Sequence, residues 1–277
     1  MIYIEREMPL KQQVTFCFLV TKDLVKETVW RKWLDKLAQL NFNFQVVTHC
    51  SPNFTKNITS DWLRQTLLPE KYLCETGWGW VMKATLALYK YATEQAPADW
   101  YTLHSETCVP FVTPEKFIEL YTTYKQNTFI SYCKAWPGIL QCKRANLHLL
   151  PPEYHLVHQN WVILCHEDLS QMLHLAQVDR KLTTTLMTGH VADESFIAVF
   201  LYKINNFKNV LNKLTTIADW KRTPNGNNPY TFNSWTETDQ TIVADLGKDR
   251  TKNEYMFLRK IGPAFPEKVL YQLLNLS

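Results

Sequence analysis

The opening of the chain constrains the fold more than any other stretch. Val14-Thr15-Phe16-Cys17-Phe18-Leu19-Val20 is an unbroken apolar run, far too short to span a bilayer and of the length of a buried strand. A helix is predicted from Leu24 to Leu40, with Val25, Val29, Trp33, Leu37 and Leu40 along one stripe. Phe44-Gln45-Val46-Val47-Thr48-His49 then reads as a second strand. Strand, helix, strand is the start of an α/β sheet, with a right-handed crossover between parallel strands. The carboxyl ends of such strands frame the crevice where nucleotides usually bind.

The remaining pattern continues this alternation. Ser51 to Ser60 is a polar loop and Trp62 to Leu68 a short helix. Gly77-Trp78-Gly79-Trp80 leads into a strong helix from Val81 to Ala92, and Trp100 to His104 is a third strand. Thr113-Pro114-Glu115 starts a helix with proline at its first position, running to Tyr124. Phe129 to Tyr132 reads as a strand, and Ala135 to Pro152 as a loop broken by Pro137-Gly138 and Pro151-Pro152. Trp161 to Leu164 is apolar and precedes a helix from Glu167 to Ala176. Thr223 to Asn233 is rich in Asn, Pro and Gly, the composition of a loop that shapes a binding site. Tyr255 to Lys260 and a closing helix from Pro266 to Leu274 complete the chain. No linker divides it, so residues 1–277 are expected to form one domain.

Several function classes are disfavoured. The net charge is only +4 and the basic residues are scattered, which suits a pocket for a small anion better than a nucleic-acid-binding face. No G-x-G-x-x-G follows the first strand, against a dinucleotide-dependent dehydrogenase. The seven cysteines stand singly, with no C-x-x-C pair, so a zinc site is not expected and a reducing compartment is. No transmembrane segment is predicted, and two N-glycosylation sequons, at Asn53 and Asn57, follow no signal peptide.

The stretch richest in chemistry is His190-Val191-Ala192-Asp193-Glu194-Ser195-Phe196-Ile197-Ala198-Val199-Phe200. Adjacent acids precede apolar residues at helical spacing, which predicts that they occupy the first turn of a helix running to Tyr202. A carboxylate held there at the floor of a cleft can take a proton from an incoming hydroxyl. The ordinary use of such acids is capping, with Asp193 as N-cap and Glu194 facing the helix dipole.

In order along the chain, several stretches resemble the core-2/I-branching glycosyltransferase family, which includes β-1,6-N-acetylglucosaminyltransferases and peptide xylosyltransferases with plant and viral relatives. Trp78-Gly79 with Met82 and Ala84 is similar to that family's W-G helix opening. Leu103-His104-Ser105-Glu106-Thr107-Cys108-Val109-Pro110-Phe111 resembles its L-L-S-E-S-C-I-P-L segment. Gln159-Asn160-Trp161 stands where the family has G-S-Q-W, Ala192 to Phe196 resembles P-D-E-H-Y, and Phe257 to Lys260 resembles F-A-R-K-F. Order and spacing match over about residues 14–265. Ser195 replaces the usual His, Ile261 replaces the final Phe, and the membrane anchor and stem of Golgi members have no counterpart.

The resemblance implies a single GT-A, Rossmann-like α/β domain with a mixed, mostly parallel central sheet. It implies inverting, metal-independent transfer of GlcNAc or xylose from a UDP-sugar to a glycan hydroxyl. Glu194 would be the general base, and Lys260 with Arg259 would stabilise the departing diphosphate. Lys248 and Arg250 are competing cations. Val20, Thr21, His49, Trp78, Ser105 and Glu106 are the expected donor-binding residues. Trp161, Trp235 and Asp193 are the expected acceptor-binding residues, since the C–H faces of sugars pack on indoles. No metal or other cofactor is expected, because Ser105-Glu106-Thr107 offers one acid where a metal-dependent GT-A enzyme has two. The partners would be a nucleotide sugar and a glycan, in a cytoplasmic enzyme that could be virus-encoded. Two alternatives remain open: a metal-dependent GT-A transferase with another nucleotide sugar, and a non-catalytic module that binds carbohydrate or nucleotide sugar.

Overall fold

The computed structural model describes residues 12–223, 226, 228–248 and 254–276. The chain runs from β1 (Gln12–Val20) through α1 (Glu27–Gln39) to β2 (Phe44–Cys50). Then come α2 (Asp61–Gln65), α3 (Met82–Gln95), β3 (Ala98–His104), β4 (Val109–Pro110) and α4 (Pro114–Tyr124). Short elements follow: β5 (Thr128–Phe129), β6 (Tyr132–Lys134), α5 (Pro137–Gln141), β7 (Leu156–His158) and β8 (Ile163–Cys165). The helices α6 (His166–Val178), α7 (Arg180–Met187) and α8 (Phe196–Asn205) lead to β9 (Val210–Leu211) and β10 (Thr216–Ala218). The chain closes with α9 (Glu237–Lys248), β11 (Phe257–Arg259) and α10 (Glu267–Leu274).

The central sheet has the order β2-β1-β3-β8-β5-β9. Strand β1 is parallel to β2 on one side and β3 on the other, and β9 is parallel to β5, while β8 runs antiparallel to both its neighbours. The sheet is thus mixed and mostly parallel, as expected. A small sheet, β10-β11-β4, flanks it. The remaining strands, β6 and β7, pair with each other.

Period-two alternation along β1 divides the core into two layers. Val14, Phe16, Phe18 and Val20 point into a cluster shared with α1, α4, α10 and β11. Cys17 points into the other, filled by α3, α6, α7 and α8. The first layer accounts for much of the aromatic content. Phe16 meets Trp30 and Trp33 edge-on at 6.0 and 5.8 Å, and Trp33 meets Phe117 at 5.1 Å. The two buried indoles satisfy their N–H groups on the carbonyls of Cys108 and Val112.

Four elements depart from the pattern read in the sequence. Helix α1 begins at Glu27 rather than Leu24, because the Val25 N–H is drawn away to the Glu106 carbonyl at 2.9 Å. The predicted strand from Phe129 to Tyr132 splits into β5 and β6, which belong to different sheets. The stretch predicted as a loop from Ala135 to Pro152 contains α5 and a 3₁₀ segment over Arg144–Leu149. Pro137 there starts a helix at its first position, and Ile139, Ala145 and Leu147 are buried. Helix α7 had no counterpart in the reading; Asp179 caps it by accepting from the Leu182 N–H at 3.0 Å. Among the described residues no helix is long and apolar enough to cross a membrane.

Trp33→Ala opens a cavity beside Phe16 and Phe117. It is expected to cost about 3–5 kcal/mol of unfolding free energy, measured as a lowered denaturant midpoint.

Candidate active site

A cavity of about 670 Å³ opens at the carboxyl ends of β1 and β3. Because β1 is followed in the chain by a neighbour on one side and then by one on the other, this edge is the topological switch of the sheet. Leu19, Val20 and Thr21 line it from the end of β1, and Leu103, Ser105 and Glu106 from the end of β3. The Thr21 hydroxyl donates to Glu106 Oε1 at 3.2 Å, joining the two strand ends. Arg259 and Lys260 enter from the end of β11, and Asp193 and Glu194 from the segment just before α8. His158, Asn160 and Trp161 contribute from β7 and the turn after it, and Gly226, Asn228 and Pro229 from the Asn/Pro/Gly-rich loop.

The acids do not sit in the first turn of α8. They occupy a separate 3₁₀ turn, Ala192–Glu194, and α8 starts after Ser195. Two backbone conformations make the break: Val191 at φ 59° and ψ 40°, and Ser195 at φ −142° and ψ −34°. A β-branched residue in the left-handed region is strained, and the surroundings hold it there. The Val191 N–H donates to the Gly79 carbonyl and the Ala145 N–H to the His190 carbonyl, both at 2.8 Å. Gly79 itself lies at φ +74°, and a Cβ there would overlap the His190 imidazole. A Cβ on Gly189 would overlap the Ala145 backbone. The W-G segment and the acidic turn are therefore one packed unit.

The capping reading of Asp193 is corrected by this geometry. Its Oδ2 accepts from Asn160 Nδ2 at 2.5 Å, while Oδ1 is buried without a partner among the described residues. Burial pushes its pKa above the ordinary value, against the opposing effect of Asn160. Glu194 remains open to solvent, with a side chain 41% exposed, and accepts from Arg144 Nη1 at 2.9 Å. Burial also raises its pKa; the Arg144 guanidinium opposes the rise and the Asp193 charge adds to it. The cations respond in the mirror sense. Burial lowers the pKa of Arg259, whose guanidinium lies 4.2 Å from the Trp161 ring centroid. Burial and then the Arg259 charge lower that of Lys260, whose Nζ donates to Asn228 Oδ1 at 2.8 Å.

The structure gathers Val20, Thr21, Trp78, Ser105, Glu106, Trp161, Asp193, Glu194, Arg259 and Lys260 around one cavity. Two expected residues lie elsewhere. His49 is buried beside the Cys74 segment, whose backbone N–H donates to its Nε2 at 3.1 Å, and desolvation lowers its pKa to about 4. Trp235 packs half-buried on Phe265 with ring centroids 5.7 Å apart, outside the cavity lining. Of the competing cations, Lys248 ends α9 and Arg250 lies outside the described residues.

Other lining residues carried no assignment. Arg144 lies among the left-handed residues Lys143, Ala145 and Asn146, in a stretch with no motif. Asn160 belonged to a quoted motif, and its amide acquires a role only through Asp193. Trp136 and Trp220, at 55% and 41% exposure, add indoles to the cavity wall. Among the described residues, no group of three or more His, Cys, Asp or Glu converges as a divalent cation would require.

The family model for the core-2/I-branching enzyme matches residues 14–244. No curated protein matches. Among solved structures, the apo structure of the WbbM bifunctional glycosyltransferase is similar at 10% identity and a TM-score of 0.39. The match covers 90% of this chain and 45% of that one, so the chain spans less than half the length of that structure.

Gly79→Ala places a Cβ against His190 and forces a left-handed φ. It is expected to destabilise the protein by more than about 1 kcal/mol, read as a lowered melting temperature. The substitution should also displace the acidic turn.

Proposed function

The chain belongs to the core-2/I-branching enzyme family of glycosyltransferases, and from that premise we propose that it moves GlcNAc or xylose from a UDP-sugar to a glycan hydroxyl, with inversion. The observation that carries this reading is the placement of Glu194 and Lys260 on one solvent-open cavity at the switch point of the sheet. Glu194 takes the proton of the acceptor hydroxyl as its oxygen bonds to the anomeric carbon. The bond to the UDP oxygen breaks, and its electron pair leaves on the diphosphate. Lys260 and Arg259 face that growing charge, held ready in a partly desolvated wall. A single displacement inverts the anomeric centre.

The other residues have supporting parts. Val20, Thr21, Ser105 and Glu106 frame the nucleotide and the donated sugar at the strand ends. Arg144 favours the ionised form of Glu194, the form a general base needs. Asp193, held by Asn160, and Trp161 and Trp220 border the acceptor. Basic side chains take the place of a divalent ion at the diphosphate, a reading that rests on Arg259 and Lys260 lining the cavity. The seven free cysteines favour a reducing compartment, and we place the enzyme in the cytoplasm.

Glu194→Gln removes the base while keeping size and hydrogen-bonding capacity. Transfer from UDP-GlcNAc or UDP-xylose, assayed in EDTA, should fall roughly 10²–10⁴-fold, with UDP binding retained. Loss within a few-fold, or a wild-type activity that EDTA abolishes and Mn²⁺ restores, would overturn the mechanism.

The pH profile offers a second check. The acidic limb of kcat/KM should lie above the ordinary glutamate range, since burial raises the Glu194 pKa. Arg144→Ala removes the group that opposes the rise, so the limb should move to still higher pH.

A further inference from the structure

Of the ten tryptophans, four are exposed: Trp78 at 63%, Trp80 at 50%, Trp136 at 55% and Trp220 at 41%. Three line the cavity, and the fourth, Trp80, is linked to Trp78 of that lining through the His190 ring. The His190 ring lies 5.2 Å from the Trp78 ring and 5.5 Å from the Trp80 ring, tilted 53° and 50° to them. The three rings form a shelf open to solvent. It is built rather than incidental, because Gly79 between the two indoles makes room for the His190 imidazole and accepts the Val191 N–H at 2.8 Å.

The position of the shelf indicates what it would hold. His190 lies four residues before Glu194 on the same pinned segment. Under the proposed function the nucleotide lies at the strand ends, where Thr21 and Glu106 line the cavity. A ligand on the shelf therefore approaches the cavity from the side of the base. Indole faces stack on the C–H faces of pyranose rings, and the imidazole between them can exchange hydrogen bonds with hydroxyls. Trp78 belongs to both the shelf and the cavity lining, so one chain of linked sugars can run from one to the other.

Resting on the transferase reading, we propose that Trp78, His190 and Trp80 form a subsite for the sugar next to the reacting one. The acceptor is then an oligosaccharide of at least two units, not a lone monosaccharide. Trp78 serves the acceptor in this arrangement rather than the donor.

The test uses the whole protein with Trp80, which lies outside the cavity lining and the catalytic set. Wild type, Trp80→Ala and Trp80→Phe are applied to an array of mono-, di-, tri- and tetrasaccharides, and UDP-sugar hydrolysis is measured in parallel. The proposal expects retention of glycans with two or more units, a loss of at least tenfold in Trp80→Ala, and recovery to within threefold in Trp80→Phe. Hydrolysis should be the same in all three proteins. Equal retention of monosaccharides, no retained glycan, or a Trp80→Ala protein within twofold of wild type would overturn the subsite. If glycans are retained as expected but no UDP-sugar is hydrolysed or transferred, the subsite stands and the transferase reading falls.

Discussion

The site depends on two backbone hydrogen bonds, from Val191 to Gly79 and from Ala145 to His190. A lone carboxylate on a surface loop samples many orientations, and a base must be held close to the proton it removes. Here three distant segments of sequence, around residues 79, 145 and 191, are joined by main-chain contacts that no side-chain substitution can directly replace. The left-handed conformation of Val191 costs on the order of 1–3 kcal/mol, and it persists because those contacts leave no alternative. Helix α8 then secures the downstream side. Phe196 to Leu201 are all buried, so the turn is fixed at one end by the core and at the other by Gly79.

The cationic part of the cavity wall is fixed by a comparable device. Strand β11 pairs antiparallel with β4, which follows the Ser105-Glu106 segment closely in the chain. The Ile261 N–H donates to the Thr107 carbonyl at 2.9 Å, and the Lys260 carbonyl accepts from Phe232 at 2.8 Å. The backbone of Lys260 is thereby clamped between the end of β3 and the Asn/Pro/Gly-rich loop. That loop is anchored in turn by Arg222, which pairs with Asp219 and Asp239 and lies 3.7 Å from the Tyr230 ring centroid. The acidic turn and the cations thus ride on separate, independently braced parts of the fold.

How much of this was legible in the sequence follows from where each signal resides. The opening strand–helix–strand unit was readable because both faces of β1 are buried and the α1 stripe is regular. Thr113-Pro114 was readable because capping is local chemistry, and Thr113 does accept from the Lys116 N–H. The acidic turn was misread as helix because a 3₁₀ turn running into a helix shows the same apolar spacing. What separates them is the φ of Val191, and valine gives no hint of a left-handed residue. His49 was placed at the crevice because it ends a strand. Strand β2, however, lies at the sheet edge, where the Cys74 segment covers it. Arg144, Trp136 and Trp220 were invisible for a shared reason: their positions are set by irregular backbone, which has no period to read.

The electrostatics explain why these two braced parts must stay apart. Burial raises the pKa of Asp193 and Glu194 and lowers that of Arg259 and Lys260, so each set is held against its solvation preference. For the acids the sign is definite. Raised folded pKa values mean that folding stability is lost as pH rises through them, so keeping both carboxylates ionised at neutral pH opposes folding. Direct pairing of Glu194 with Lys260 would relieve the strain and also quench both groups. Instead Glu194 pairs with Arg144, and Lys260 donates to the neutral side chain of Asn228. Under the proposed reaction the missing compensation comes from the substrates: a diphosphate for the cations and a hydroxyl proton for the base. The separation that burdens the free protein is then the feature that leaves each group available for transfer.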